Sequence, residues 1–271
     1  MKKNNISNRE TAIWQKKELI VFDLDGTLAK SKAVMDDEMM RLLSQLLAVK
    51  RVAVIGGGKY GLFKMQLIGP LKKCSKELLR NMFLFPTTST AFYRYDHGWK
   101  NVYTLNLSTR DRVRIKNEFR NVMKEVGYVS PKKVYGKVIE DRGTQITFSA
   151  LGQEIVAHLG EKEGVRLKER WRKENTPIKL KMAKMLAKQL PQFEVHAAGF
   201  TSIDVTRKGL DKAYGIRQIE RYLRVPVKNM LFIGDAIFPG GNDYAAKKTG
   251  VLCVPIDSPE DTKQVIKKIL G

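Results

Sequence analysis

Cysteine is almost missing from this chain. Its two residues, Cys74 and Cys253, sit in unrelated surroundings, which excludes a disulfide framework and a cysteine metal cluster. Both read as small core residues of a reduced, cytoplasmic protein. Histidine is as scarce, and His97, His158 and His196 show no ligand spacing. No run approaches the ~20 apolar residues that a bilayer span needs, so no membrane helix is expected. The opening Met1-Lys2-Lys3-Asn4-Asn5-Ile6-Ser7 lacks the apolar core of a signal peptide, and residues 1–17 read as a polar leader. Acidic side chains are outnumbered, 28 against 50 Lys and Arg, for a net charge of +22. That charge raises encounter rates with anions, from phosphorylated metabolites to nucleic acid. The basic residues are spread along the whole chain, so a generally basic surface is favoured over a nucleic-acid-binding arm.

What is present is organised around Glu18-Leu19-Ile20-Val21-Phe22-Asp23-Leu24-Asp25-Gly26-Thr27. An apolar run rich in β-branched and aromatic residues predicts a buried strand. It stops at two carboxylates one residue apart, and Gly26 lets the chain turn away. Met35–Leu47 has the apolar spacing of an amphipathic helix, and Arg51–Ile55 reads as a second buried strand ending in Gly56-Gly57-Gly58. Glycines there permit backbone amides to approach an anion. Phe83–Pro86 gives a third strand, and the β-α-β-α-β rhythm predicts a doubly wound parallel sheet.

The rhythm then breaks. Ala91–Gly98 looks like half of a hairpin, Ser108 opens a helix that Gly127 stops, and residues 133–150 alternate as strands. Glu161–Lys173 reads as a solvated loop or short helix, and Thr176-Pro177 as the start of a helix reaching Leu190. Phe193–Val205 reads as two antiparallel strands. The pattern predicts an inserted α+β unit over 104–205, flanked by core segments 1–103 and 206–271. In the last segment a helix over Asp211–Leu223 precedes the strand Met230–Ile233, which ends in Gly234-Asp235.

Three strand tips thus carry related chemistry: Asp23 and Asp25, the glycine triplet, and Asp235. Grouped carboxylates make a hard oxygen site of the kind Mg²⁺ takes. Lys212 and free amides are what a phosphoryl group needs. Asp23-Leu24-Asp25-Gly26-Thr27, Lys212 and Gly234-Asp235 resemble the motifs of the haloacid dehalogenase superfamily. Arg142-Gly143-Thr144, Ser202-Ile203-Asp204-Val205, Gly209-Leu210-Asp211-Lys212, Pro239-Gly240-Gly241-Asn242-Asp243 and Ser258–Thr262 narrow the resemblance to the eukaryotic-type phosphomannomutases. The resemblance runs from about residue 18 to the C-terminus. It implies a Rossmann-like α/β core with an inserted α+β cap of type IIB.

The resemblance also implies roles. Asp23 is the nucleophile that forms an aspartyl-phosphate, and Asp25 the general acid/base. Lys212 pairs with Asp23 and the phosphoryl group, and Gly57 and Gly58 offer amides to it. Asp23, the Asp25 carbonyl and Asp235 are ligands to Mg²⁺, with Asn242 and Asp243 orienting the metal shell. Ser202, Asp204, Arg142 and Lys32 bind substrate, and the cap is implied to form a homodimer. The chain also departs from the pattern. Ser149 takes one cap-arginine position, Ala150-Leu151-Gly152-Gln153 supplies no arginine, and Lys32 replaces an arginine fork with a point charge. Arg166 is a candidate substitute. A mutase must hold a bisphosphate by either end, so this depletion favours a phosphatase acting on a sugar phosphate or similar metabolite. The alternative is a phosphomannomutase interconverting mannose 6-phosphate and mannose 1-phosphate. A third reading, a nucleic-acid-binding protein on the same fold, leaves Asp23, Asp25, Lys212 and Asp235 without a purpose.

Overall fold

The computed structural model describes residues 7–30 and 33–271. Lys32 therefore lies outside the described residues. The chain divides into two compact units, Met1–Thr104 with Asp211–Gly271, and Leu105–Leu210.

The first unit is built on strands β1 (Leu19–Asp23), β2 (Arg51–Ile55), β3 (Met82–Phe85), β4 (Ala91–Tyr95) and β5 (Trp99–Thr104). Two late strands join them, Met230–Gly234 and Leu252–Pro255, which become β10 and β11 once the inserted unit's β6–β9 are counted. Their order is β11-β10-β1-β2-β3-β4-β5. The first five are parallel, and β4 and β5 add an antiparallel edge. Every residue of β1 is buried, as expected of a central parallel strand covered on both faces. One face packs against the helix Asp37–Val49, whose Met39, Leu42, Leu43, Leu46 and Leu47 make one buried stripe. The other packs against the helix Lys212–Leu223 through Ile216 and Ile219.

Register decides where the tips meet. Asp23 pairs with Ile55 and Phe22 with Ile233. Gly234, which follows Ile233, is therefore level with Asp23, and Gly56 emerges one residue beyond it. The chain leaves β1 toward β2 on one side and returns to β10 on the other, so this end of β1 is the point where the strand order reverses.

The structure corrects the leader. Asn8–Gln15 is a helix, with Ser7 and Glu10 forming a reciprocal capping box and Trp14 buried against the core. So short a helix has a weak periodic signal, and one buried indole anchors it.

The second unit has strands β6 (Ile139–Asp141), β7 (Gln145–Ser149), β8 (Phe193–Ala198) and β9 (Ser202–Arg207), ordered β6-β7-β9-β8 and antiparallel throughout. Ile146, Phe148, Ile203 and Val205 point from one face onto the helices Thr109–Glu125 and Ile155–Gln189. Here a second expectation fails. The charged tract Glu161–Lys173 and the Thr176-Pro177 pair lie inside the helix Ile155–Gln189, interrupted only by left-handed Gly160 (φ 76°). Pro177 removes the amide that would bond the Lys173 carbonyl, and two side chains add bonds in the turn just before it. Asn175 Nδ2 donates to the Trp171 carbonyl at 3.1 Å and Thr176 Oγ1 to the Arg172 carbonyl at 2.6 Å. Buried Lys168, Trp171, Lys179, Met182 and Leu186 hold its inner face.

Trp14→Ala is expected to lower unfolding free energy by about 3–5 kcal/mol, read as a reduced urea midpoint. An unchanged midpoint would mean that the N-terminal helix contributes nothing to the core.

Candidate active site

The apolar β1 ends in Asp23, which is 3% exposed. Lys212 opens its helix beside an Asp211 cap whose side chain accepts from the Tyr214 amide at 2.9 Å. The Lys212 side chain is 1% exposed; its Nζ donates to Asp23 Oδ1 at 2.5 Å and also to Asp243 Oδ1. Asp243 is fully buried, and its second oxygen accepts from the Ala236 amide at 3.0 Å. Burial works against the Lys212 charge, but Asp23 and Asp243 outweigh it and hold the pKa above the ordinary lysine range.

Asp23, Asp235 and Asp243 each bring a carboxylate oxygen within 4.8 Å of the others. Two glycines make this convergence possible. Gly26 has φ 92°, and a Cβ there would lie 2.3 Å from Asp235 Oδ2. A Cβ on Gly234 would lie 2.4 Å from Asp243 Oδ2. Burial raises the Asp23 pKa, Lys212 opposes the rise, and Asp243 and Asp235 add to it. Solvent reaches Asp235, yet the protein packed about its carboxyl, with Asp243, raises it to about 6. Three carboxylates against one ammonium leave excess negative charge on hard oxygen donors, which fits a Mg²⁺ ion. Asp23, Asp235 and Asp243 are the residues that would hold it.

Asp25, just beyond the end of β1, stands next to this cluster, and its charge adds to the rise at Asp235. Its Oδ1 accepts from Gln66 Nε2 at 3.0 Å. Gln66 is fully buried, one polar residue amid Phe63, Leu67 and Leu71. Sequence reading passed it over, although an amide in so apolar a stretch was the available signal. The glycine triplet is clamped from outside. Thr87 donates its amide to the Gly58 carbonyl at 2.8 Å, and Thr88 to that of Gly56 at 2.9 Å. Thr87, Thr88 and Ser89 are consecutive left-handed residues, with φ 48°, 54° and 68°. Such backbone costs about 1–3 kcal/mol per residue and persists where its surroundings enforce it. With the Gly56 carbonyl facing Thr88 across a trans peptide, the Gly57 amide points the opposite way.

In the second unit, Ser202 and Asp204 lie on the same face of β9 and are half-buried. Arg142 is already engaged: Nε donates to Glu140 Oε2 at 2.8 Å and Nη2 to Gln153 Oε1 at 3.0 Å. Ser149 is buried and donates to the Gly152 carbonyl at 3.1 Å, so it serves a turn. Arg166 is exposed and paired with Glu163 at 2.6 Å. Asn242 is exposed beside buried Asp243.

The profile of the eukaryotic phosphomannomutases matches residues 39–271. The chain belongs to the eukaryotic phosphomannomutase family, within the haloacid dehalogenase superfamily. A phosphomannomutase of Encephalitozoon cuniculi is 26% identical over 93% of this chain and 95% of its own length. One from Saccharomyces cerevisiae is 24% identical over 98% and 100%. Solved structures share the fold. IMP-nucleotidase of Plasmodium falciparum aligns with a TM-score of 0.68 and 15% identity, covering 96% of this chain and 71% of that one. Trehalose-6-phosphate phosphatase of Aspergillus fumigatus gives 0.56 and 16%, covering 97% of each. Among the described residues no helix is long and apolar enough to cross a membrane.

Lys212→Met is expected to cost about 3–5 kcal/mol, since it leaves buried carboxylates without their cation; chemical denaturation measures this. Mg²⁺ affinity is expected to fall as pH drops through about 6, because Asp235 takes up a proton there. Calorimetric titration at pH 5 and pH 8 checks the sign, and equal affinities at both would remove Asp235 from the ligand set.

Proposed function

We propose that the chain transfers phosphoryl groups to and from a hexose phosphate through an aspartyl-phosphate on Asp23. In this reading its principal activity is the interconversion of mannose 6-phosphate and mannose 1-phosphate. The observation that carries it is the buried Lys212 ammonium bridging Asp23 and Asp243 with Asp235 alongside. A structural ion pair needs neither the third carboxylate nor an amide-bearing glycine loop level with it. The family's activity is the reason for preferring the mutase to the hydrolase expected from the cap.

The roles follow from the groups. A carboxylate oxygen of Asp23 forms a bond to phosphorus as the bond from phosphorus to the sugar oxygen breaks. Asp25, held by Gln66, gives its proton to that leaving oxygen. In the second half-reaction Asp25 takes a proton from the incoming hydroxyl, which attacks phosphorus and frees Asp23. Lys212 favours the ionised form of Asp23 against the effect of burial and pairs with the phosphoryl oxygens. The Gly57 and Gly58 amides donate to those oxygens, and Ser202 and Asp204 take sugar hydroxyls. Bound Mg²⁺ supplies the positive charge that lets an anionic phosphoryl group approach a carboxylate, with Asn242 orienting its shell.

Hydrolysis is the second reading, and a specific contact favours it. Glu140 pairs with Arg142, a side chain expected to bind substrate, and a weakly held bisphosphate would give way to water.

Asp23→Asn is expected to abolish turnover, and Asp25→Asn to slow it by about 10²–10⁴-fold. The deciding assay supplies Mg²⁺ and mannose 6-phosphate, with and without a hexose bisphosphate. Mannose 1-phosphate formed only with the bisphosphate establishes the mutase, and free phosphate establishes the hydrolase. Full activity in Asp23→Asn would overturn the mechanism.

A further inference from the structure

Cations that are spread through the sequence are gathered onto one line by the helix Ile155–Gln189. Trp171, Met182 and Leu186 pack inward, onto the sheet of their own unit. Arg166, Arg170, Lys173, Lys181, Lys184 and Lys188 are all exposed. Their spacing is three or four residues throughout, once Pro177 fills the one place between Lys173 and Lys181. At 3.6 residues per turn the series stays within about 80° of the helix surface, on the side opposite the buried residues. At 1.5 Å per residue it runs about 33 Å from Arg166 to Lys188.

The free charge lies in the later part of this stripe. Arg166 is paired with Glu163 and Arg170 with Glu174. After Glu174 no acidic residue occurs until Glu194. Lys173, Lys181, Lys184 and Lys188 have no carboxylate partner among the described residues. Arg114, from the helix Thr109–Glu125, donates to the Gln189 carbonyl at 3.5 Å and brings a further cation to the Lys188 end. The helix dipole accounts for only part of this: it favours cations in the last turn, where Lys188 alone of the series lies. A surface charged for solubility intersperses both signs, whereas no acid separates Lys181, Lys184 and Lys188.

A linear row of cations calls for an extended polyanion. The row is about as long as one turn of a nucleic-acid duplex, ~34 Å, and duplex phosphates are dense enough to meet every lysine along it. No aromatic side chain stands in the stripe, so an unpaired base has nothing to stack on. A helix lying on a membrane needs a free apolar face. Here that face is turned to the sheet, and among the described residues Leu180 is the one large exposed aliphatic of the helix. Ile203 and Val205 point toward the helices, so Ser202 and Asp204 lie on the far side of the sheet from this stripe.

We propose that the outer face of this helix, from Lys173 to Lys188, binds the phosphate backbone of a nucleic-acid duplex without reading its sequence. Lysines on phosphates fix position and carry no base readout. This surface is separate from the phosphoryl-transfer site and stands independently of that reading.

The test follows binding of the full chain to a fluorescent duplex of arbitrary sequence, about two helical turns long, by anisotropy across about 50–200 mM salt. In one triple variant Lys181→Gln, Lys184→Gln and Lys188→Gln are combined; glutamine matches lysine in helix propensity. It is expected to weaken binding at least ~10-fold and to reduce the salt slope by about one per lysine. A control triple, Lys76→Gln with Lys100→Gln and Lys228→Gln, removes the same charge from exposed positions of the first unit. Its slope is expected to change by less than about one. Equal losses in the two triples would overturn the proposal, because overall charge would then be responsible. So would a parent chain that fails to bind the duplex at the lowest salt, or one that binds a single strand or phosphatidylserine vesicles more tightly than the duplex.

Discussion

A single ammonium group ties together segments that the chain keeps far apart. Lys212 donates to Asp23, 189 positions earlier, and to Asp243, 31 positions later. Removing a lysine charge from water is unfavourable by several kcal/mol and is offset only when carboxylates meet it in good geometry. The parallel register of β1, β2 and β10 supplies that geometry by bringing their carboxyl ends level. Gly26 and Gly234 then clear the space in which the carboxylates of Asp235 and Asp243 lie. The cluster keeps more negative charge than one ammonium balances, and so remains a site for a cation.

Around this cluster the fold holds its loops by contacts that carry no chemistry themselves. Gln66 fixes Asp25, and the left-handed Thr87–Ser89 segment grips the carbonyls of the glycine loop. The inserted unit has a different electrostatic character. Its polar sheet face mixes acids with neutral groups, with Thr147 donating to Asp204 and accepting from Gln145, and Glu140 pairs with Arg142. The carboxylates and the ammonium proposed for phosphoryl transfer all belong to the first unit.

Much of the core was legible because buried parallel strands are continuous apolar runs. The segments around Leu19–Asp23, Arg51–Ile55 and Met230–Gly234 all announce themselves in this way. The helix Asn8–Gln15 was hidden, since a single Trp14 anchors it and its remaining residues are mostly polar. The course of Ile155–Gln189 was misleading for the opposite reason. Pro177 argues for a break, and tertiary burial of Trp171, Met182 and Leu186 overrides it, whereas the chain does leave the helical conformation at Gly160. Gln66 and the Glu140–Arg142–Gln153 contacts were illegible, because a side-chain hydrogen bond between separated residues leaves no periodic trace.

By itself the sequence determined the class of the fold, the two acids at the end of β1, and the residue types for phosphoryl transfer. Those depend on local patterns: apolar runs, strand-ending glycines, and carboxylates next to them. Only the tertiary structure decided that Lys212 is shared by Asp23 and Asp243, that Asp25 leans on Gln66, and that Arg142 is already paired. The first two are contacts between side chains distant in the chain, set by strand register and burial, and the third depends on side-chain geometry at a strand end that no periodic pattern records.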